Sequence, residues 1–262
     1  MRIFESHCHL DDTSFVGDLN DTIERARQAD VTAIMVVGVD LDSSQRAVAI
    51  AEEHPGVFAS VGIHPHDAKI CSDDRLLVLK KLAGHPKVKA WGEAGLDFNR
   101  MSSPRADQES CLIRQLETAS ELGLPMIFHE RESQGRFLEI LKAHWQGRGK
   151  GVVHCFSGNA AELETYLEMG LYIGVTGILT IKSRGEALRR LVRHVPADRL
   201  LVETDAPYLT PTPERNKHRR NEPAFVRTVL EKLASVRGEE LPVLAAATWK
   251  NTCDLFGLPE LV

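Results

Sequence analysis

The chain carries two histidines one residue apart, His7 and His9. On an extended segment, side chains at i and i+2 project from one face. Both imidazoles can therefore reach one ion at about 2.0–2.1 Å. Cys8 then faces the other way, and Glu5 shares the face of the pair, placed to orient ligands rather than to be one. Further donors recur where short apolar runs end: Gly62-Ile63-His64-Pro65-His66, Trp91-Gly92-Glu93, Phe128-His129, Val153-His154 and Glu203-Thr204-Asp205. Six of the 11 histidines stand at such ends. One buried histidine is ordinary; six beside two carboxylates need another account, because buried charges need partners. Four imidazoles (His7, His9, His129, His154) with Glu93 and Asp205 exceed one tetrahedral ion and fit two divalent ions bridged by a carboxylate. His64 and His66 could be further ligands, substrate contacts or rigid loop residues around Pro65; because the other six positions fill both shells, substrate contact is the favoured reading. Asp97, four residues past Glu93, can serve the site or cap a turn.

These residues act together only if the runs that carry them are neighbours in space. The runs are 2–6, 31–38, 57–62, 88–92, 124–128, 151–153, 171–175 and 199–202. They are continuously apolar rather than alternating, as parallel strands buried on both faces require. Amphipathic segments separate them: 18–30, 43–54, 74–83, 105–122, 135–145, 160–169 and 185–194, with 225–236 and 241–256 after the last run. Eight alternations predict an α/β fold: a single (β/α)8 TIM barrel with an additional C-terminal helix, one domain over residues 1–262. Such barrels place active sites at the C-terminal ends of their strands, where the donors stand. An open doubly wound sheet would need a glycine-rich phosphate loop, and no G-x-G-x-x-G occurs.

Hydrophobic residues at 43% and charged residues at 26% exclude a disordered chain, a collagen-like repeat and a disulfide miniprotein. The net charge of −5 argues against a broad basic surface for long duplexes, so nucleic-acid contact must be local. One basic run, Arg215-Asn216-Lys217-His218-Arg219-Arg220-Asn221-Glu222-Pro223, follows Asp205 on the loop that should crown the barrel mouth. Its cations suit phosphate oxygens, while Asn221 can cap the next helix with Pro223 in its first turn. Arg131, two residues past His129, is another cation near the mouth. A local basic rim fits DNA ends or short oligonucleotides. The 5 cysteines include no C-x-x-C pair, which excludes zinc-ribbon and thioredoxin-type sites and suits a reduced cytoplasmic setting. No apolar run is long enough for a bilayer and no signal-peptide core opens the chain, so no membrane association is expected. No obligate protein partner is evident.

The ordered motifs carry a resemblance: Glu5-Ser6-His7-Cys8-His9-Leu10, Gly62-Ile63-His64-Pro65-His66, Gly92-Glu93-Ala94-Gly95-Leu96-Asp97, His154-Cys155-Phe156-Ser157-Gly158, Glu203-Thr204-Asp205-Ala206-Pro207-Tyr208-Leu209 and Arg220-Asn221-Glu222-Pro223. From first strand to final helix the chain resembles the TatD family of metal-dependent deoxyribonucleases, within the amidohydrolase-like superfamily. The resemblance implies one divalent ion on His7, His9, Glu93 and Asp205, and a second on Glu93, His129 and His154. It implies a Mg²⁺-dependent 3′→5′ exonuclease on single-stranded DNA ends, using water activated by the two ions. Asp205 and Glu93 would be catalytic, with Asp205 accepting the water proton. His64, His66, Arg131 and Arg220 would position phosphate oxygens. A donor set this rich in histidine also suits Zn²⁺, Mn²⁺ or Ni²⁺. The family usually opens Asp-x-His-x-His; Glu5 departs from that pattern and can shift the geometry behind the ligands without removing one. The same site could attack a carbonyl, which keeps an amidohydrolase or a D-aminoacyl-tRNA deacylase as the alternative. A barrel retained only for binding would have lost ligands, and every expected ligand is present.

Overall fold

The computed structural model describes residues 1–145 and 149–261; residues 146–148 and 262 of the expected domain lie outside the described residues. Eight parallel strands pair in chain order: β1 (Ile3–Cys8), β2 (Val31–Val37), β3 (Val57–Val61), β4 (Val88–Asp97), β5 (Met126–Arg131), β6 (Gly151–Val153), β7 (Tyr172–Val175) and β8 (Leu200–Val202). The ring closes between its first and last members. Asp205 N–H donates to His7 O (3.0 Å), His9 N–H to Ala206 O (2.7 Å) and Ser6 Oγ to Val202 O (3.0 Å).

A helix follows each strand: α1 (Leu19–Gln28), α2 (Leu41–Glu53), α3 (Asp73–Ala83), α4 (Arg105–Leu122), α5 (Arg136–His144), α6 (Ala160–Glu168), α7 (Glu186–Leu191) and α8 (Val226–Arg237). Local chemistry sets their starts. Asp40 accepts Ser43 N–H (2.7 Å) ahead of α2, and Asn159 with Glu162 forms a reciprocal capping box ahead of α6. A ninth helix, α9 (Leu241–Phe256), follows α8 as the sequence predicts. No helix among the described residues is long and apolar enough to cross a membrane.

The core has two layers. The larger one packs the helices on the outer face of the sheet. The smaller draws a buried residue from every strand, including Phe4, Phe58, Ile127 and Leu201, and joins them to Trp249 and Phe256 of α9. The Phe4 ring lies 5.8 Å from Trp249 and 6.1 Å from both Phe58 and Phe256. α9 thus seals the lumen below the site.

Three strands run past the apolar runs that predict them: β1 to Cys8, β4 to Asp97 and β5 to Arg131. Their extensions carry His7, Glu93 and His129. An apolar criterion stops where polar side chains begin to face the lumen, so it ends each strand at the edge of the site. Alternation is also imperfect there. The register of β1 on β2 shifts between Ile3 and Phe4 and again between Glu5 and Cys8. Such a bulge re-aims side chains.

Candidate metal centre

Buried donors converge at the C-terminal ends of β1, β4, β5 and β6 and just beyond β8. His7 Nε2 and His9 Nε2 lie 3.3 Å apart. Glu93 Oε2 is 3.3 Å from His7 and 3.8 Å from His9, while Asp205 Oδ1 is 3.8 Å and 3.3 Å from the same two atoms. Ligand atoms on a tetrahedron with bonds of about 2.0–2.1 Å stand about 3.3–3.4 Å apart. This group therefore has the dimensions of one ligand shell. The other oxygen of Glu93, Oε1, is 2.6 Å from His129 Nδ1 and 3.2 Å from His154 Nε2. Each oxygen of one carboxylate faces its own group of imidazoles, as a bridging ligand must. No lysine or arginine pairs with Glu93 or Asp205 among the described residues. The site is rich in lone pairs and has no fixed cation, a composition that fits divalent metal.

The partner of each ring's second nitrogen separates ligands from donors. His9 Nδ1 donates to Val37 O (3.0 Å), which turns Nε2 to the site as the nitrogen whose proton a metal would replace. His154 Nδ1 faces Glu203 Oε1 at 3.1 Å, which turns Nε2 to the site in the same way. His129 turns Nδ1 to Glu93 and Nε2 toward Asp97 at 3.6 Å. His64 differs. Its Nε2 lies near the second group, 3.5 Å from Glu93 Oε1 and 3.3 Å from His129 Nδ1. Its Nδ1, however, accepts His66 N–H (3.1 Å), and burial, outweighing the Glu93 charge, lowers its pKa to about 4. The neutral ring then carries its proton on Nε2 and offers an N–H rather than a lone pair.

Two carboxylates outside the expected ligand set hold this arrangement. Glu203 is fully buried and accepts from His154 Nδ1, Cys155 N–H (2.6 Å) and Ser6 Oγ (3.3 Å). Asp97 both serves the site and caps a turn. It pairs with His66 Nε2 at 2.8 Å and accepts the N–H groups of Asn99 (3.0 Å) and Arg100 (2.8 Å). The available signal was position: Glu203 precedes Asp205 by two residues and Asp97 ends the strand of Glu93. Glu5 orients the site through the backbone, its Oε1 accepting from His7 N–H (3.1 Å) and Thr204 N–H (2.9 Å).

The charges sustain one another. Burial would raise Glu93, but the imidazoles of His154, His64 and His7 and a hydrogen bond from His129 hold it well below the usual carboxylate range. Burial would lower His9, but its hydrogen bond to Asp205 and the charges of Asp205 and Glu93 raise it to about 9. The rings of His7 and His154 stack at 3.7 Å, too close for both to be charged. Burial and His154 push His7 down; His154 stays high because Glu93 and Glu203 overcome its burial.

At the rim, the half-buried Arg131 makes no ion pair among the described residues. Arg220 is committed elsewhere. Its guanidinium binds both oxygens of Asp18 (2.7 and 2.6 Å) and Glu222 (3.0 Å), and it lies 4.5 Å over the Phe15 ring. Phosphate would have to displace two carboxylates, so Arg220 fastens the β8–α8 loop to the start of α1. Asn221 does not cap α8, which starts at Val226. Buried completely, it donates to Thr204 O (3.0 Å) and Tyr208 O (2.6 Å), tying the loop to the end of β8. Arg215, Lys217 and Arg219, earlier in the same loop, are exposed.

The family model described as TatD related DNase matches residues 4–257. A curated relative from Erwinia tasmaniensis named 3′-5′ ssDNA/RNA exonuclease TatD is 40% identical over 259 residues, covering 98% of this chain and 100% of that protein. One of the same name from Cronobacter sakazakii is 40% identical over 256 residues, covering 97% of each. Among solved structures, the TatD homologue YjjV of Escherichia coli K12 matches with a TM-score of 0.91 at 33% identity, over 98% of this chain and 99% of that one. A TatD family hydrolase of Entamoeba histolytica shares the fold, with a TM-score of 0.89 at 24% identity and the same coverage.

Proposed function

Since the chain belongs to the TatD-related DNase family, we propose that it is a two-metal exonuclease removing nucleotides from the 3′ ends of single-stranded DNA and RNA. The observation that carries this reading is the placement of Glu93, one oxygen toward His7 and His9 and the other toward His129 and His154. His7, His9, Glu93 and Asp205 would hold one ion; Glu93, His129 and His154 would hold the other. When bound, such ions supply Lewis acidity at phosphoryl oxygens and lower the pKa of water. Mg²⁺ is the proposed working ion, and the imidazoles also suit Mn²⁺, Zn²⁺ or Ni²⁺.

The chain's own groups do the rest. Asp205 stays ionised despite burial, through its hydrogen bond with His9 and the charges of His154, His9 and His7. It can therefore accept a proton from attacking water. His64 Nε2–H and the Arg131 guanidinium are donors for non-bridging phosphate oxygens, and His66 is held at the rim by Asp97. Arg220 contributes at one remove, by holding the loop. Cys8, Cys71, Cys111 and Cys155 are free thiols, which supports a reducing, cytoplasmic setting for a single domain.

The test is digestion of 5′-labelled single-stranded DNA and RNA by metal-stripped protein, with Mg²⁺, Mn²⁺ or Zn²⁺ restored singly. Wild type should give a metal-dependent ladder shortening from the 3′ end, and Asp205→Asn should give none. Metal-loaded wild type that leaves both substrates intact would overturn the reading.

A further inference from the structure

Tyr208 stands three residues after Asp205 on the β8–α8 loop. It is 54% exposed, the one aromatic among the exposed large apolar side chains of the described residues. Burying an aromatic ring removes about 150–250 Å² from water, so leaving one half in solvent forgoes a large stabilisation. The ring centroid lies 6.1 Å from that of His9, at the lip of the metal centre.

The ring is also held. Tyr208 N–H donates to Asp205 O (2.8 Å), and its carbonyl accepts from the buried Asn221 side chain (2.6 Å). The Asp12 carboxylate of the β1–α1 loop lies near its hydroxyl. The backbone is fixed on both sides of the peptide, and the ring still presents surface to solvent. Such a ring loses little freedom when a flat ligand covers it.

We propose that Tyr208 is the stacking platform for the base of the nucleotide beside the scissile phosphate. The proposal rests on the nuclease reading above and adds a demand to it: the site requires a base, of any identity, at that position. Every base has a π-face, so stacking tolerates sequence. The exposed Arg215, Lys217 and Arg219 of the same loop would contact backbone alone and are blind to whether a base is present.

The experiment compares two 5′-labelled single-stranded oligonucleotides, one natural and one whose two 3′-terminal residues carry a tetrahydrofuran in place of the nucleoside. Values of kcat and KM are measured with Mn²⁺ for wild type, Tyr208→Ala, Tyr208→Phe and Tyr208→Trp. Wild type should favour the natural end by roughly 5–150-fold in kcat/KM. Tyr208→Ala should bring that ratio close to one. Tyr208→Phe, which lacks the hydroxyl, and Tyr208→Trp should keep it. A Tyr208→Ala enzyme that slows on both substrates alike and preserves the ratio would overturn the stacking role and leave the nuclease reading standing. A wild type that cuts neither oligonucleotide would overturn both.

Discussion

Glu203 makes a sharp test of how the metal centre is held. Its Oε1 serves both His154 Nδ1 (3.1 Å) and Cys155 N–H (2.6 Å), and its Oε2 accepts from Ser6 Oγ (3.3 Å). The carboxylate has no room to move aside: a Cβ added at Gly174 would lie 2.7 Å from each of its oxygens. Glu203→Gln can keep its carbonyl oxygen on His154 and Cys155 and turn its amide nitrogen toward Ser6. It removes the charge and leaves the geometry. Glu203→Ala removes both and leaves two buried N–H groups without an acceptor. Losing an outer partner of a metal-binding histidine costs about 10–100-fold in metal affinity, or about 1.4–2.7 kcal/mol. Glu203→Gln belongs at the lower end of that range and Glu203→Ala at the upper. Isothermal titration of metal-stripped protein with Mn²⁺ reads the affinities, and the thermal midpoint of the metal-free protein reports folding. The reasoning fails if folded Glu203→Ala binds Mn²⁺ at both sites within about twofold of wild type, far short of the 10–100-fold loss.

Three further outcomes follow from packing and charge. In Gly95→Ala the new methyl would lie 1.7 Å from His129 O, so β5 must shift and carry His129 with it. The variant should lose about 1–3 kcal/mol and most of its turnover at saturating metal, and wild-type melting and kcat would contradict this. Trp249→Ala empties the floor of the lumen beneath Phe4 and should cost about 3–5 kcal/mol by urea unfolding; a loss under about 1 kcal/mol, a third of the low end of that range, would show that α9 is not a structural plug. Asp18 is held well below the usual carboxylate range, chiefly by its hydrogen bond from Arg220, which outweighs the opposing effect of burial, with a smaller contribution from Arg25. A carboxylate so depressed stabilises fully above its unfolded pKa, about 3.9, and less as pH falls below that. Because the pair is partly exposed, Asp18→Asn should destabilise by at most about 1 kcal/mol near neutrality. That deficit should shrink in acid, and a difference that ignores pH would rule the account out.

The sequence was readable where chemistry follows residue type and near spacing. Apolar runs located all eight strands, and His7-x-His9 with the later strand ends named a cluster that the fold brings together. What it hid were partners fixed by distant chain. Glu203 looked like a neighbour of Asp205, and only the fold sets it under His154. His64 looked like its neighbour His66, and only a backbone N–H on its Nδ1 shows which nitrogen carries the proton. Arg220 read as a free cation for phosphate because its partner Asp18 lies 202 residues away. Strand ends ran short at β1, β4 and β5 because polar, lumen-facing residues break the apolar signal that defines a buried strand.

The sealed lumen also has a consequence for synthesis. Phe4 belongs to β1 and its floor, Trp249 and Phe256, to α9, more than 200 residues later. Glu5 waits in the same way for Thr204 N–H, 199 residues on. Chains fold from the N-terminus as they emerge, and contacts this distant pay their loop-closure entropy before any return. A nascent chain holding His7 and His9 therefore has no Asp205 and no closed ring. Its first two histidines cannot form the four-donor group until β8 has left the ribosome. The floor that holds the ring shut arrives later still, within the final turns of α9. Metal capture and barrel closure thus both wait until β8 and α9 have been made.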